Sequence, residues 1–317
     1  MDQLVVMRAF RQVAELASFS AAAEKLNLSN GAVSKHVSAL ENHLGVQLLV
    51  RTTRHVSLTD SGRSYLERCA RILDDIGESE MALSRHHTTP RGTLRVNAPV
   101  SFAILHLGAL FAEFLQRYPE IQLDLNLNDR FVDPVEEGFD MVIRIIRQLP
   151  DSTLIARKLA DIDYVICAAP SYLKRAGTPR IPEDLASHEC LLYVQGTPHN
   201  ELRLQGPTGE RRVKVPTGRY QSNNSLPLRD ALVAGLGIAL IPTLYVSDLL
   251  DTGKLAPVLQ QYQFEPSNLY AIYPRSRHLS AKVKVLVAFM LDHFASRSKD
   301  RQRIIAGAKA RACRGRA

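Results

Sequence analysis

The chain has 317 residues, of which 45% are apolar and 23% charged, and this composition is ordinary for a globular protein of about two domains. The longest uncharged apolar run, residues 231–246, has 16 residues and contains Pro242, so it is too short for a membrane span, and the N-terminal residues show no signal-peptide pattern. The four cysteines lack CxxC spacing, which argues against a disulfide framework or a zinc site and indicates a reducing cytoplasm.

The net charge of +8 is concentrated at one end of the chain. Residues 297–317 contain eight Lys or Arg and one Asp, so this segment accounts for seven of the eight net charges. Overall charge is therefore weak support for DNA binding. We expect residues 298–317 to form a disordered basic tail that adds only non-specific DNA affinity.

Three apolar stripes with helical spacing occupy the first 45 residues and predict three short helices. None is long enough to be stable alone, so they must pack on one another. Ser20 and Ser29 are predicted N-caps of the second and third helices, and Gly45 is a predicted C-cap. The stripes are formed by Met7, Phe10, Val13 and Ala14, then Ala22, Ala23 and Leu26, then Val33, Val37, Leu40 and Leu44.

The opposite face of the third helix is small, polar or basic, as a helix that enters a DNA major groove requires. A hairpin is predicted over residues 48–58, with a basic tip suited to phosphate contacts. The alternative is a three-helix bundle with a solvated face. The predicted DNA-binding residues are Ser29, Asn30, Gly31, Ser34, Lys35, Ser38, Arg51, Thr52 and Arg54.

The segment SFSAAAEKLNLSNGAVSKHVSALENHLGVQLLVRTTRHVSLTDSG resembles the winged helix-turn-helix of LysR-type transcriptional regulators. Several spaced motifs agree in order: Val33-Ser34, Leu40-Glu41, Leu44-Gly45, Arg51-Thr52 and the L-T-x-x-G of Leu58 to Gly62. Asn30-Gly31 depart from the Gln followed by Pro or Ser that the family commonly has, and Val50 departs from the usual Phe. The resemblance implies a DNA-binding domain over residues 1–58.

A long helix is predicted next, capped by Thr59 and ending before a hinge at residues 84–92. Leu66, Cys69, Leu73 and Ile76 are spaced three and four apart, as in a coiled-coil seam. A helix over residues 59–88 extends roughly 40 Å, longer than a small domain can cover. We therefore expect these four residues to mediate dimerisation, with packing against the helix's own domain as the alternative.

From Thr93 the pattern alternates between strands and helices, which predicts open α/β sheets. Segments such as EGFDMVIRI and QSNNSLPLRDALVAGLGIALIP resemble the family's effector-binding domain, in the subgroup of CrgA-like regulators. The resemblance implies an α+β multidomain protein whose α/β effector-binding domain, residues 89–297, has two lobes like a type 2 periplasmic binding protein. Lobe I would take residues 93–162 and 269–296, and lobe II residues 163–268. Ile146 and Leu202 depart from the subgroup's common Gly and Trp, both near the expected cleft.

Two predicted helix starts, at Ser101 and Asn224, should face one cleft, because open α/β sheets bind ligands beyond the carboxyl ends of their strands. Paired helix N-termini favour an anion, so we expect a small anionic effector, while simple helix capping is the alternative. Phe131, Arg144 and Gly196 are placed by resemblance, and Arg144 could instead be a structural ion-pair partner. The predicted effector-binding residues are Ser101, Phe102, Phe131, Arg144, Gly196, Asn223, Asn224 and Ser225.

The sequence gives little indication of an enzyme, because it contains no GxSxG, HExxH or P-loop motif. We predict no catalytic residues, no metal and no cofactor. Cys190 lies where peroxide-sensing family members hold a reactive cysteine, but without a second cysteine close by it is better interpreted as a buried strand residue. A DNA-processing enzyme or a ligand-independent architectural DNA-binding protein are the alternatives.

The expected partners are double-stranded promoter DNA, a small-molecule effector and further copies of the chain in a homodimer or homotetramer. RNA polymerase is a further candidate partner, and no membrane association is expected. The predicted function is a cytoplasmic, sequence-specific transcriptional regulator whose activity an effector modulates. By the same resemblance, the assembly would be a dimer of dimers.

Overall fold

The computed structural model describes residues 2–51, 56–83, 90–149, 152–194, 201–207, 209–275 and 279–296, without the side chains at 51, 75 and 78–83. The chain forms two compact units, Met1–Thr89 and Pro90–Ala317. The predictions for Thr52, Arg54, Gly196, most of the hinge and the tail from 298 lie outside the described residues, as does the side chain of Arg51.

The N-terminal unit is built on three short helices, a two-stranded hairpin and one long helix. Its elements are α1 Gln3–Leu16, α2 Phe19–Leu26, α3 Asn30–Leu44, β1 Leu49–Arg51, β2 Val56–Leu58 and α4 Asp60–Leu83. The strands pair antiparallel, with Leu49 opposite Leu58. Their shared core contains Phe10, Val13, Val33, Val37 and Leu40, each with no exposed side-chain surface.

Side-chain caps explain where these helices begin. The Oγ of Ser29 accepts the Ala32 N–H at 3.2 Å, as predicted, whereas α2 begins two residues earlier than expected. Its cap is Ser18, whose Oγ accepts the Ala21 N–H, and the predicted cap Ser20 lies inside the helix. The Ser20 prediction was wrong because two serines flank Phe19 and either satisfies the sequence rule. Gly45 ends α3 at a φ of 69°, in the left-handed region that favours glycine.

The predicted dimerisation seam on α4 is corrected by the packing of its residues. Cys69 is fully buried and Leu73 is 8% exposed, and both belong to the core that α1 and α3 form, with Leu66 packed against it. The Cys69 thiol donates to the Met7 carbonyl at 3.6 Å. The helical spacing was correct, but periodicity does not identify the surface that an apolar stripe contacts. Cys69 and Leu73 therefore have no surface for a second chain.

The C-terminal unit alternates strands and helices. In chain order its elements are β3 Gly92–Ala98, α5 Val100–Phe102, a π-helical turn Ala103–Leu107, α6 Gly108–Arg117, β4 Ile121–Leu127, α7 Pro134–Glu137, β5 Met141–Ile146, β6 Ile155–Ile162, β7 Tyr164–Ala168, α8 Pro170–Ala176, a 3-10 turn Pro182–Ser187, β8 Leu192–Tyr193, β9 Glu201–Gly206, β10 Gly209–Lys214, β11 Gln221–Ser222, α9 Ser225–Val233, β12 Ile238–Pro242, a 3-10 turn Thr243–Tyr245, α10 Ser247–Asp251, β13 Ala256–Val258, β14 Gln263–Phe264, β15 Ser267–Tyr273 and α11 over residues 281–296.

Two sheets organise this unit into the two parts that we call lobe I and lobe II. Lobe I is built on the five-stranded order β4-β3-β5-β15-β6, in which β3 runs parallel to β4 and β5, while β15 is antiparallel to both of its neighbours. Lobe II is built on the antiparallel sheet β12-β7-β13, together with the β10-β9-β14 sheet and the parallel pair β11-β8. The chain passes between the lobes after β6 and again before β15.

The segment Val100–Arg117 matches a membrane span in length and composition, the only described helix to do so, with a mean hydropathy of 1.2. Its burial pattern is that of a core helix, since Phe102, Leu107, Leu110 and Phe114 are nearly or fully buried within the unit's main core. The loops at the carboxyl ends of β3 and β4, including residues 99–101 and 128–131, carry several of the cleft residues described below.

Candidate functional site

The outward face of α3 carries the predicted DNA-reading residues. Val33, Val37 and Leu40 are fully buried on one side of the helix. Asn30, Gly31 and Lys35 are exposed on the other, and Ser34 and Ser38 are half-buried. Because the first turn of a helix has N–H groups without intrahelical partners, this end suits contact with phosphate or base edges.

Glu41 has a structural task that sequence reasoning missed. Its Oε1 accepts the Leu48 N–H at 2.9 Å and the Leu49 N–H at 3.0 Å. The carboxylate therefore joins α3 to the first strand of the hairpin. This contact fixes the hairpin relative to α3, and it explains the L-E pair of the motif physically.

The L-T-x-x-G motif has an equally direct explanation. The Thr59 N–H donates to the Leu48 carbonyl at 3.0 Å, and the Thr59 Oγ1 donates to the Gln47 carbonyl at 2.8 Å and accepts the Gly62 N–H at 2.9 Å. Thr59 thus caps α4 as predicted. A Cβ at position 62 would lie 2.0 Å from the Leu48 carbonyl oxygen, so only glycine fits there. The motif ties the start of α4 to the start of the hairpin.

A cleft of about 900 Å³ lies within the C-terminal unit and takes residues from both lobes. Lobe I contributes polar and charged residues to the cleft, including Ser101, Asp129 and Arg144. Lobe II contributes a mainly apolar wall that includes Ile166 and Ile238. Ile146 and Leu202, the two departures from the subgroup pattern, both line this cleft. A cleft of this size and character accommodates a small organic molecule.

The two predicted helix starts meet in this cleft, but in a different way from the one predicted. Asn224 caps α9 by accepting the Leu226 N–H at 2.9 Å. Ser101 does not cap its helix: it lies in the first turn and is 3% exposed, and its Oγ donates to Asn224 Oδ1 at 3.0 Å and accepts the Ser225 N–H at 3.2 Å. The cap is supplied instead by Asp129, whose Oδ1 accepts the Val100 N–H at 3.1 Å.

Several other predicted effector residues are now located. Phe131 is 61% exposed and lines the cleft, as does Ser225. Phe102 is corrected: it is 2% exposed and packs in the core, with its ring centroid 5.4 Å from His106 and 6.1 Å from Phe294, because the first helical turn points this side chain away from the cleft. Asn223 is exposed and does not line the cleft.

Arg144 is the most buried charged group in the cleft wall, at 5% exposure. Its guanidinium donates to the Ile143 carbonyl at 2.7 Å, to Asn97 Oδ1 at 2.5 Å and to the Arg130 carbonyl at 2.7 Å. Its Nε finds no acceptor among the described residues. Burial lowers the pKa of Arg144 to about 10, opposed by the charge of Asp129, so the side chain stays cationic at neutral pH. Among the described residues its hydrogen-bond acceptors are neutral carbonyl and amide oxygens, and no carboxylate there forms an ion pair with it.

Cys190 also lines the cleft, and its environment is that of an inert thiol. It is 5% exposed, forms a β-bridge with Ile238 and donates to the Leu185 carbonyl at 3.5 Å. Burial raises the pKa of Cys190 to about 11, which suppresses the reactive thiolate. The interpretation as a buried residue next to a strand agrees with this environment. Among the described residues, no three His, Cys, Asp or Glu side chains are grouped as metal ligands would be.

Comparison with known families matches both units of the chain. Residues 4–63 match the family described as "Bacterial regulatory helix-turn-helix protein, lysR family", and residues 87–295 match "LysR substrate binding domain". These two ranges fall on the N-terminal helices with their hairpin and on the two-lobed unit, respectively.

Individual relatives match along nearly the whole chain. The HTH-type transcriptional activator AaeR of Escherichia coli K12 is 37% identical over 299 residues, 94% of this chain and 96% of that protein. The HTH-type transcriptional repressor PA14_22550 of Pseudomonas aeruginosa is 38% identical over 93% of each chain. The solved structure of CrgA, a LysR-type transcriptional regulator from Neisseria meningitidis, is 33% identical with a TM-score of 0.60, covering 92% of this chain and 98% of that one.

Proposed function

The chain belongs to the LysR family of transcriptional regulators, and from that premise we propose that it reads a specific promoter sequence through α3 and responds to a small organic anion bound in the cleft. Regulators of this family bind DNA and small-molecule effectors and form oligomers. The observation that carries the DNA-reading proposal is the polar outer face of α3, held in place by Glu41 and Thr59.

Base reading is proposed for Lys35 and Ser34, which lie on the first turns of α3. Substituting either with Ala should weaken binding to a selected operator more than binding to random DNA, because a good base contact contributes about 1–3 kcal/mol of discrimination. Arg51, Thr52 and Arg54 of the hairpin are proposed to contact phosphates, so Arg51→Ala and Arg54→Ala should weaken binding to all sequences alike and reduce the salt dependence.

The test begins with genomic fragments that the full chain retains, followed by titration of one such operator and of random DNA. Lys174→Ala removes the same charge from an exposed position on α8, far from α3 in the sequence, and serves as the matched control. Equal losses on operator and random DNA for Lys35→Ala would show that this face of α3 does not read bases.

An anionic effector is supported by the charges of the cleft wall, where four arginines face two carboxylates. We expect Arg144 to bind the anionic group of the effector. Burying a cation that forms no ion pair among the described residues costs free energy of folding, and a bound anion would offset that cost. The sequence argument placed this anion at the two helix starts, but Asp129 already lies there. Closure of the two lobes on the effector would then change how the DNA-binding units of an oligomer are positioned for binding to the operator.

We expect carboxylates to raise the melting temperature of the full chain, with matched amides and amines ineffective. Two series of similar size serve as probes: benzoate, benzamide and benzylamine, and propionate, propionamide and propylamine. A carboxylate at 100 times its dissociation constant stabilises the folded chain by about 2.7 kcal/mol. Arg144→Gln should abolish the response, whereas Arg147→Gln, an exposed arginine of the same wall, should retain it. A response to amines alone would contradict the anionic effector.

The same titration addresses the alternative of an architectural DNA-binding protein that works without a ligand, because a carboxylate response that Arg144→Gln abolishes would contradict that alternative. The relatives include one named an activator and one named a repressor, so transcription from a promoter with the selected operator has to be measured to give the direction of control. We place this activity in the cytoplasm, where promoter DNA and RNA polymerase are available.

A further inference from the structure

Asp129 joins the two helix starts of the cleft. Its Oδ1 accepts the N–H of Val100, at the start of the helical segment that continues to Arg117, and its Oδ2 accepts the Asn224 side-chain amide at 3.0 Å. Asn224 is the N-cap of α9 in lobe II, whereas Val100 and Asp129 belong to lobe I. The carboxylate therefore lies between the positive ends of two helical segments from opposite lobes.

The surrounding hydrogen bonds fix the orientation of the Asn224 amide. Its Oδ1 faces two donors, the Ser101 hydroxyl and the Leu226 N–H, so its Nδ2 faces the carboxylate. Three hydrogen bonds consequently cross between the lobes, from Asn224 to Asp129, from Ser101 to Asn224 and from Ser225 to Ser101. Any movement that separates the lobes at this point must break them.

This position has the character of an anion site that the chain fills from within. A carboxylate accepting backbone and amide N–H groups at helix starts is favoured electrostatically, and a second negative group brought there would meet like charge. A second observation concerns Arg144, which lines the same cleft, is 95% buried and has an Nε without an acceptor among the described residues. The cleft thus has one anion position that the Asp129 carboxylate fills and a second, at Arg144, where a hydrogen-bond donor has no acceptor among the described residues.

We propose that Asp129 is a specificity-determining residue of the cleft: its carboxylate fills the position between the two helix starts, so that the effector's negative group is directed to Arg144. The inference rests on the proposed function, because it takes the cleft as the effector site. The group of the effector that lies next to Asp129 is then neutral or a hydrogen-bond donor.

Removing this carboxylate should create a vacancy that a free carboxylate can enter. Asp129→Ala is expected to lower the melting temperature, and sodium acetate exchanged for sodium chloride at constant ionic strength should raise it again by at least about 2 °C more than in the wild type. Acetamide, a neutral molecule of the same shape, should not restore it. A merely structural aspartate would not give this selectivity for a charged probe.

The matched control is Asp133→Ala, a helix-capping aspartate of the same loop region that does not line the cleft. Its Oδ1 accepts the Val135 N–H at 2.7 Å and the Glu136 N–H at 3.2 Å at the solvent-facing start of α7. Its melting temperature should fall without acetate rescue. Equal acetate effects on wild type, Asp129→Ala and Asp133→Ala, or none on Asp129→Ala, would overturn the proposal.

A second variant covers the case in which Asp129→Ala does not fold. Asn224→Asp brings a second carboxyl group against that of Asp129, and this like charge raises the pKa of the introduced carboxyl in the folded state above its value in the unfolded state. The folded variant is therefore more stable at low pH and loses stability as pH rises. The difference in melting temperature between Asn224→Asp and wild type should become more negative as pH is raised from 4.5 to 7.5. The charge of Asp129 acts on Arg144, which stays cationic in this window, and on the phenols of Tyr193 and Tyr245, which stay neutral, while Arg130, the next residue and also in the cleft wall, is likewise cationic.

Asn224→Ser, which adds no charge, should differ from wild type by the same amount at every pH. A pH-independent difference for Asn224→Asp would show that no carboxylate lies opposite position 224 and would overturn the assignment. These melting experiments use no DNA, so their failure leaves operator selection untouched, and a chain that selects no operator can still show acetate rescue.

Discussion

At the scale of single residues, Gly62 is required by the close approach of two chain segments. The Cβ of any other residue would meet the Leu48 carbonyl oxygen at 2.0 Å and its carbon at 2.9 Å, both of them backbone atoms. Backbone cannot move aside without breaking the hydrogen bonds from Thr59 that join the hairpin to α4. A flexible side chain could move away from the new Cβ, but the backbone of Leu48, next to β1 and within a packed core, cannot.

We expect Gly62→Ala to destabilise the N-terminal unit by about 1–3 kcal/mol, the usual cost of overpacking. Gly77→Ala is the control in the same helix, because its Cβ meets nothing within 4 Å. Ala at this position should stabilise the helix by about 0.5–1 kcal/mol. Urea unfolding followed by circular dichroism measures both changes. If Gly62→Ala left the free energy of unfolding unchanged or raised it, as Gly77→Ala should, the steric argument would be contradicted.

Residue roles could be predicted from sequence where the partner is close along the chain. Ser29 and Thr59 were identified as caps because the N–H groups that they accept lie three residues ahead. Asp129 was missed because its partners, Val100 and Asn224, are 29 and 95 residues away, and an aspartate in a polar loop gives no local signal. The same separation explains why Ser101 was mistaken for a cap.

At the scale of elements, α4 still offers a surface for a second chain, although it differs from the predicted seam. Cys69 and Leu73 face the core of their own unit, while Ile72 is 47% exposed and Ile76, one turn further, is half-buried. These two isoleucines, one exposed and one half-buried, are spaced four apart and form an apolar edge on a 24-residue helix. We therefore propose that dimerisation uses Ile72 and Ile76, with Leu66, Cys69 and Leu73 supporting the helix from behind.

We expect Ile72→Glu to separate the dimer while leaving the unit folded, because the new charge lies at an exposed position that a partner would bury. Leu73→Glu should instead unfold the N-terminal unit, since it places a charge in the core. Sedimentation velocity gives the size of each species, and circular dichroism reports folding. An Ile72→Glu protein of unchanged size would show that this edge of α4 faces solvent in the assembly.

Element types were predictable where the apolar period is strong. The helices α1 and α3 and the hairpin of β1 and β2 fall where the sequence pattern indicated, and the alternation of strands and helices starts with β3, as expected from Thr93 onward. The short strands β9 and β14 were not predicted as strands, because they pair with one another across about 60 residues and carry few apolar residues. Local pattern specifies an element, and the long-range partner decides which of its faces is buried.

At the scale of the whole molecule, the two units have separate cores. The cluster around Phe10 and Leu40 contains only residues of the N-terminal unit, and the cluster around Phe114 and Met141 contains only residues of the C-terminal unit. Chains with more than one core commonly depart from two-state unfolding. The family resemblance indicated two functional domains, and the separate cores supply the physical reason to expect two folding units.

Calorimetry of the full chain should therefore show two transitions that respond to different perturbations. Gly62→Ala should lower only the transition of the N-terminal unit, because the clash with Leu48 lies within that core. A carboxylate that binds at Arg144 should raise only the other transition, because ligand binding stabilises the unit that holds the site. Fragments 1–89 and 90–296 assign the two peaks independently. A single transition that both perturbations shift equally would mean that the units unfold as one, and the coupling between effector and operator would then extend through the folded state as a whole.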